Sequence, residues 1–238
     1  MPAASLGSRA VEGDDRSGAR QMALIVGVLA LAAIVAIVLL TRGDDDGEGS
    51  EPTAAGGCEF VEKPEPKRGV EFDRPEQVIE PGAEATAVVE TSCGTFEIAL
   101  DTTRAPKTAN SFAFLAEEGF YDGLDFHRIA PGFVIQGGDP LGTGSGGPGY
   151  FVDEKPPGNL QYTRGIVAMA KSATEPPGRS GSQFFVVSGA AAPLTPDYAL
   201  VGEVTEGLDV VARIDKLGTP RETPKRTVLI ESITIEQG

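Results

Sequence analysis

Hydrophobic positions are distributed along this chain in three different ways, and each predicts a different kind of segment. From Met22 to Leu40 nineteen residues pass without a charge. At about 1.5 Å per residue, a helix of that length nearly spans a hydrocarbon core of roughly 30 Å. A helix packed inside a soluble domain shows a polar face, and this run shows none. The pattern predicts a transmembrane helix over residues 22–41, preceded by a short segment 1–21. A secretory signal peptide is the rival reading, but its apolar region should be shorter and followed by small residues, whereas Thr41, Arg42 and an acidic run follow here.

Between residues 42 and 81 apolar residues are only scattered among Pro, Gly and Glu, which predicts a solvated linker. Beyond it, residues 82–238 carry the periodicities of a folded domain. Thr86 to Val89 and Phe96 to Leu100 favour β structure around a Ser92-Cys93-Gly94-Thr95 turn. Pro106 opens a stretch in which Ala109, Phe112, Ala113, Leu115 and Ala116 recur at helical spacing, and Gly119 sits where a helix stops. Leu124 to Ala130, Phe133 to Gly137, Ile166 to Ala170, Gln183 to Val187 and Ala199 to Val204 read as short strands separated by Gly- and Pro-rich loops. A second helix fits Leu208 to Leu217 and a closing strand Val228 to Glu236. Many short strands with two helices describe a closed barrel with capped openings, because closure removes exposed strand edges.

Charge and composition then narrow the function. Twenty Lys and Arg stand against thirty-five Asp and Glu, a formal net charge of −15, so the chain repels nucleic-acid phosphates. The stretch from Gly43 to Pro81 holds twelve acidic and four basic residues, about half of that net charge, and its self-repulsion extends the linker. Arg9, Arg16 and Arg20 precede the apolar run, while after Arg42 no base appears until Lys63. That asymmetry favours a cytoplasmic N-terminus, a single-pass cell-membrane protein and an extracytoplasmic domain.

One His and two Cys are too few for a zinc finger, an iron–sulfur cluster or a His-rich metal site. An all-carboxylate magnesium or calcium site is left open by that count. In an oxidising compartment the two thiols, Cys58 and Cys93, are expected to form a disulfide. Lipid attachment at Cys58 is the alternative. The run Gly142-Thr143-Gly144-Ser145-Gly146-Gly147 has the spacing of a dinucleotide fingerprint, but no helix can open in Gly147-Pro148-Gly149, so a flexible loop is expected. The sole histidine, His127, lies beside Arg128 with no nucleophile elbow in the chain, which argues for a structural role.

The most specific stretch is Phe126-His127-Arg128-Ile129-Ala130-Pro131-Gly132-Phe133-Val134-Ile135-Gln136-Gly137-Gly138-Asp139. Together with Gly165 to Ala170, Gly181 to Val186 and Leu200 to Val204, it resembles the signature of the cyclophilin-type peptidyl-prolyl cis–trans isomerases, in the family's order from about Val88 to Glu236. The resemblance implies a mainly β fold, a closed eight-stranded antiparallel barrel capped by two helices, that isomerises X–Pro bonds. It implies Arg128 as the catalytic guanidinium, with Gln136 holding Arg128 or the substrate backbone. The proline-receiving pocket falls on Phe133, Val134, Phe185 and Leu194, with Tyr198 where many members carry a pocket histidine. Met169, Ala170, Lys171 and Gln183 fall along the edge where substrate backbone lies. Strand alternation predicts Phe126 and Arg128 on one face and His127 on the other.

The expected partners are proline-containing polypeptides and, through the N-terminal helix, the membrane. A monomer is expected, and no cofactor or metal is called for. Three positions depart from the family's pattern. Pro193 stands where many members carry tryptophan, a residue this chain lacks, so family-typical cyclosporin affinity is not implied. Tyr198 replaces a frequent histidine, and Lys171 a frequent asparagine, the latter adding a positive charge at the rim. These departures sustain an alternative, a non-catalytic module that holds proline segments as a chaperone or scaffold.

Overall fold

The computed structural model describes residues 57–59 and 61–238. The expected segments 1–21 and 22–41 and the first part of the linker lie outside the described residues. Among the described residues no helix is long and apolar enough to cross a membrane.

The chain enters a hairpin of β1 (Ala85–Thr91) and β2 (Gly94–Leu100), whose alternate residues Ala87, Val89, Phe96 and Ile98 are fully buried. Helix α1 (Pro106–Glu117) follows. Proline at its first position needs no N–H partner there. The next exposed N–H groups, of Lys107 and Thr108, donate to the Glu154 carboxylate at 3.2 and 2.7 Å. At its end Gly119 turns left-handed with φ 63°, so that Gly119 N–H reaches the Ala116 carbonyl and Phe120 N–H the Leu115 carbonyl, both at 2.9 Å.

The remaining elements are β3 (Leu124–Asp125), β4 (Arg128–Ala130), β5 (Val134–Gly137), β6 (Val152–Asp153), β7 (Tyr162–Thr163), β8 (Ile166–Met169), β9 (Arg179–Ser180), β10 (Phe184–Val187), β11 (Ala191–Ala192), β12 (Leu200–Glu206), α2 (Leu208–Asp215) and β13 (Leu229–Gln237). Nine strands form one curled antiparallel sheet in the order β3-β13-β1-β2-β12-β8-β10-β5-β4, and β7–β11 and β6–β9 form two small ribbons. The outermost strands, β3 and β4, are separated in the chain only by Phe126 and His127. The run Leu124 to Ala130, expected as one strand, is therefore two halves pairing with opposite ends of the order. Bulges help the sheet to curl: the β12–β8 register shifts between Leu200 and Gly202, and a Cβ at Gly202 would meet the Ala99 carbonyl oxygen.

Two expectations change here. Phe126 and Ile129, three residues apart, both enter the main core, whereas Arg128 faces its edge. The expected alternation of Phe126 and Arg128 on one face fails because the strand is interrupted at His127. The second change concerns residues 58–59 and 61–81, read from composition as solvated linker, which run as a strap over α1 and the adjoining loops. Phe72 stacks edge-on to Phe114 with centroids 5.2 Å apart, and Ile79 is buried in the core. Asn110 of α1 accepts from the N–H groups of Val78 and Ile79 at 2.8 and 3.0 Å and donates to the Glu76 carbonyl at 2.7 Å. Cys58 is disulfide-bonded to Cys93. The strap is charged on its outer side yet supplies the apolar and polar cover that the outward face of α1 requires.

Candidate active site

Arg128 opens β4 directly opposite Gln136 of β5. Its Nη1 donates to Gln136 Oε1 at 3.0 Å, and because guanidinium only donates, the Gln136 amide must present its oxygen there. Gln136 Nε2 then donates to Gln183 Oε1 at 3.1 Å, and Gln183 Nε2 to the Gly146 carbonyl at 3.0 Å. On the other side, Arg128 Nε donates to Glu222 Oε2 at 2.7 Å. That carboxylate is the acidic partner that Arg128 takes among the described residues, whereas Glu154 caps α1.

The guanidinium carbon lies 6.0 Å from the ring centroid of Phe133, which brings the fork to the edge of an apolar patch. Val134, Ala168, Phe185 and Leu200 form part of a second hydrophobic cluster, against which Phe133, Ala170, Leu194 and Tyr198 pack with faces left partly open. This cluster is separate from the main core and comes to the surface beside Arg128. The Tyr198 ring meets Phe185 edge-on at 5.6 Å. Tyr162 fixes the main chain of Tyr198, donating to its carbonyl at 2.7 Å and accepting from its N–H at 3.0 Å. Burial pushes the Tyr162 phenol up to about 12, so it stays a neutral donor.

A cavity of about 580 Å³ adjoins the network, bounded by Gln136, Gln183, Ala170, Lys171 and the glycine-rich loop. That loop is organised rather than loose. The Asp139 carboxylate accepts the N–H groups of Leu141 and Thr143 at 2.8 Å, Ser145 at 3.1 Å, and Gly144. Within the fingerprint-like run the N–H groups of Thr143, Gly144 and Ser145 are thus turned to an internal anion, which orders the loop without any phosphate. Lys171 turns its ammonium to the carbonyls of Ser172 and Glu175 at 3.2 and 3.1 Å and over the Tyr198 ring at 5.4 Å.

Of the expected site residues, Arg128, Gln136 and Gln183 form one hydrogen-bonded line, and Phe133, Val134, Ala170, Phe185, Leu194 and Tyr198 share one apolar cluster. Met169 departs from expectation: its side chain is buried in the main core and its N–H is used by the Ala199 carbonyl at 2.8 Å. The side-chain period of two in β8 sends Ala168 and Ala170 toward the patch and Met169 away from it. Two residues were missed. Tyr162 sits in a two-residue strand with no pattern to mark it, and Glu222 lies 94 residues from Arg128 in a loop whose sequence gives no hint of the contact. Among the described residues no group of three or more His, Cys, Asp or Glu side chains is placed to hold a metal ion. A charged donor fork at the rim of an apolar floor can hydrogen-bond a carbonyl or an amide nitrogen held over that floor.

Residues 86–235 match the family model of cyclophilin type peptidyl-prolyl cis-trans isomerases. The chain is 43% identical over 175 residues to peptidyl-prolyl cis-trans isomerase A of Mycobacterium tuberculosis, an alignment covering 65% of this chain and 94% of that protein. It is 41% identical over 138 residues to peptidyl-prolyl cis-trans isomerase-like 1 of Neurospora crassa, covering 56% and 83%. A crystal structure of a cyclophilin type peptidyl-prolyl cis-trans isomerase of Cryptosporidium parvum superposes with a TM-score of 0.60 at 31% identity, covering 65% of this chain and 99% of that one. A second structure of that protein, in the presence of the dipeptide Ala-Pro, gives 0.59 at 30% identity, covering 64% and 99%.

Proposed function

The chain belongs to the cyclophilin-type peptidyl-prolyl cis–trans isomerases, and from that premise we propose that Arg128 is its catalytic group and the patch of Phe133, Val134, Phe185, Leu194 and Tyr198 its proline seat. An X–Pro bond turns over a barrier of about 18–20 kcal/mol because the nitrogen lone pair is shared with the carbonyl. At the top of the barrier that sharing is lost, and the nitrogen becomes a hydrogen-bond acceptor. A fixed guanidinium that donates to it, or to the adjoining carbonyl, binds the twisted amide better than the planar one. Each 1.4 kcal/mol of that difference is worth about tenfold in rate. Arg128 suits the task because a guanidinium presents several N–H donors in one rigid planar fork.

The observation that carries this reading is the anchoring of Arg128 by Gln136 and Glu222 at the edge of an apolar cluster that opens to the surface. The likeness to a structure solved in the presence of Ala-Pro supports a proline in that seat. Ala170 and Lys171 border the adjoining cavity, where residues flanking the proline would run. The two amides of Gln136 and Gln183 order the fork rather than react.

The same reading extends to location. The uncharged run before Leu40, the base asymmetry around it and the Cys58–Cys93 disulfide support a membrane-tethered enzyme acting on polypeptides outside the cytoplasm. There, uncatalysed prolyl switching takes about tens to hundreds of seconds and limits folding. Reading the curl of the sheet as a closed barrel of eight strands, with β3 and β4 as halves of one, belongs to this proposal too.

The test is isomerisation of a short X–Pro peptide by the full-length protein, read by line-shape exchange. Arg128→Ala is expected to lose about a hundredfold or more in kcat/KM, in line with removal of one preorganised donor from an active site. Undiminished peptide binding with no acceleration by the wild type would instead identify a holding module.

A further inference from the structure

We infer that Glu222 is a positioning residue for isomerisation, fixing the direction in which the Arg128 fork points; this rests on the catalytic role proposed for Arg128. Glu222 is the one non-glycine residue with positive φ among the described residues, at 62°. A side chain in that left-handed region is disfavoured, and glycine or asparagine would be the relaxed choice. The surrounding loop holds it there. Glu222 N–H donates to the Thr219 carbonyl at 2.8 Å, and Thr219 N–H to the Thr223 carbonyl at 3.1 Å. The hydroxyls of Thr219 and Thr223 meet at 3.0 Å, and Lys225 N–H closes on the Leu217 carbonyl at 2.7 Å.

What the strained backbone achieves is a double attachment to β4. The Glu222 carbonyl accepts the N–H of Ile129 at 2.9 Å, and its carboxylate takes Nε of Arg128, the preceding residue, at 2.7 Å. With Nη1 on Gln136, the guanidinium plane is defined by two partners on different elements, one on β5 and one on the loop after α2. Among the described residues nothing engages Nη2, the donor left for a substrate. An ion pair this exposed, with side chains 33% and 48% accessible, contributes little to stability. Its retention on a strained residue is explained by orientation of the fork.

Orientation and stability can be read separately because glycine moves them in opposite directions. In the full-length protein Glu222→Gly relieves the backbone and removes the carboxylate. It is expected to keep a Tm at or above the wild type while kcat on an X–Pro peptide falls about fivefold to tenfold and KM stays within about twofold. Glu222→Asn, which tolerates the same backbone but is too short to reach Nε, should behave likewise. Glu222→Gln keeps an acceptor at full reach and should recover at least about half of the lost rate, since geometry rather than charge is at stake. In the Arg128→Ala background, Glu222→Gly should cost nothing further.

A kcat in Glu222→Gly equal to or above the wild type overturns the inference, as does a loss confined to KM. A fall of Tm and rate together in all three Glu222 variants also overturns it. If Arg128→Ala is itself fully active, the reading beneath fails instead, whatever Glu222 does.

Discussion

Arg128 and Gln136 face each other across the β4–β5 ladder, joined by an Nη1 to Oε1 bond of 3.0 Å, so the residue that orients the fork is set by strand register. The line continues to Gln183 and stops at the Gly146 carbonyl. A bond nearer the fork constrains it more. Gln136→Ala is expected to lower kcat/KM about tenfold, and Gln183→Ala about threefold, in an isomerase assay. Equal losses, or a larger loss at Gln183, would mean that Gln183 meets the substrate directly.

The disulfide closes a loop of 35 residues. Chain-entropy reasoning for such a loop gives about 3–4 kcal/mol of stabilisation. Reduction, or Cys93→Ser, should therefore lower Tm by about 6–16 °C. It should also expose residues 61–81 to proteolytic nicking, because the strap is then held by non-covalent contacts alone, such as Phe72–Phe114, the burial of Ile79 and the Asn110 hydrogen bonds. Peptide isomerisation should change by less than about twofold, because among the described residues neither the Arg128–Gln136–Gln183 line nor Phe133 bonds to the strap. Thermal scans with and without reductant check the first expectation, and limited trypsin digestion the second.

How much of this was legible in the sequence follows from how local each cause is. Pro106, the apolar spacing after it and Gly119 mark α1 because caps and periodicity are properties of neighbouring residues. Leu208 opens α2 as expected, and the family resemblance pointed to Arg128, Gln136 and the apolar residues that the structure brings side by side. The break at His127 was not legible, since two strand halves and one whole strand share the same alternation. The strap was misread because composition averages over residues: its Pro and Glu content suggests solvation, while Phe72, Val78 and Ile79 are spaced to fit α1 rather than each other. Glu222 was invisible for a different reason. Its contact depends on the curl of the sheet bringing the loop after α2 back to β4.

Gly189 tests how closely the seat is packed. A Cβ there would meet the Gly132 carbonyl oxygen and come within 3.3 Å of Phe133 N. The turn cannot retreat, because Gly132 N–H is held by the Asp215 carboxylate at 2.9 Å, and Ser188 Oγ by the same carboxylate at 2.6 Å. Gly189→Ala should displace Phe133, raising KM for peptide several-fold and costing about 1–3 kcal/mol as overpacking. Titration of peptide binding against denaturant stability of the same variant separates the two effects.

His127 makes stability depend on pH. It is half-buried, with neither ring nitrogen hydrogen-bonded among the described residues. Burial pushes its pKa down, against the upward pull of Asp139 and Asp125 and with the help of Lys63 and Arg128. Below an ordinary value of about 6.5 the unfolded chain then binds the proton more readily than the folded one. The stability His127 contributes is complete above that pH and is lost as pH falls through the lower folded value. Burial pushes the Asp139 carboxyl up, but the N–H groups of Leu141, Thr143 and Gly144 and the charge of His127 outweigh it, leaving it below the usual range. Its contribution disappears only further into acid. Asp125, raised by burial, has the opposite sign and steadies the fold slightly as it protonates. Tm should therefore fall as pH drops from 7.5 toward the folded pKa of His127, and His127→Gln, which cannot charge, should flatten that limb while leaving the steeper acid loss below about pH 4. An unchanged slope in His127→Gln would assign the limb to the carboxylates instead.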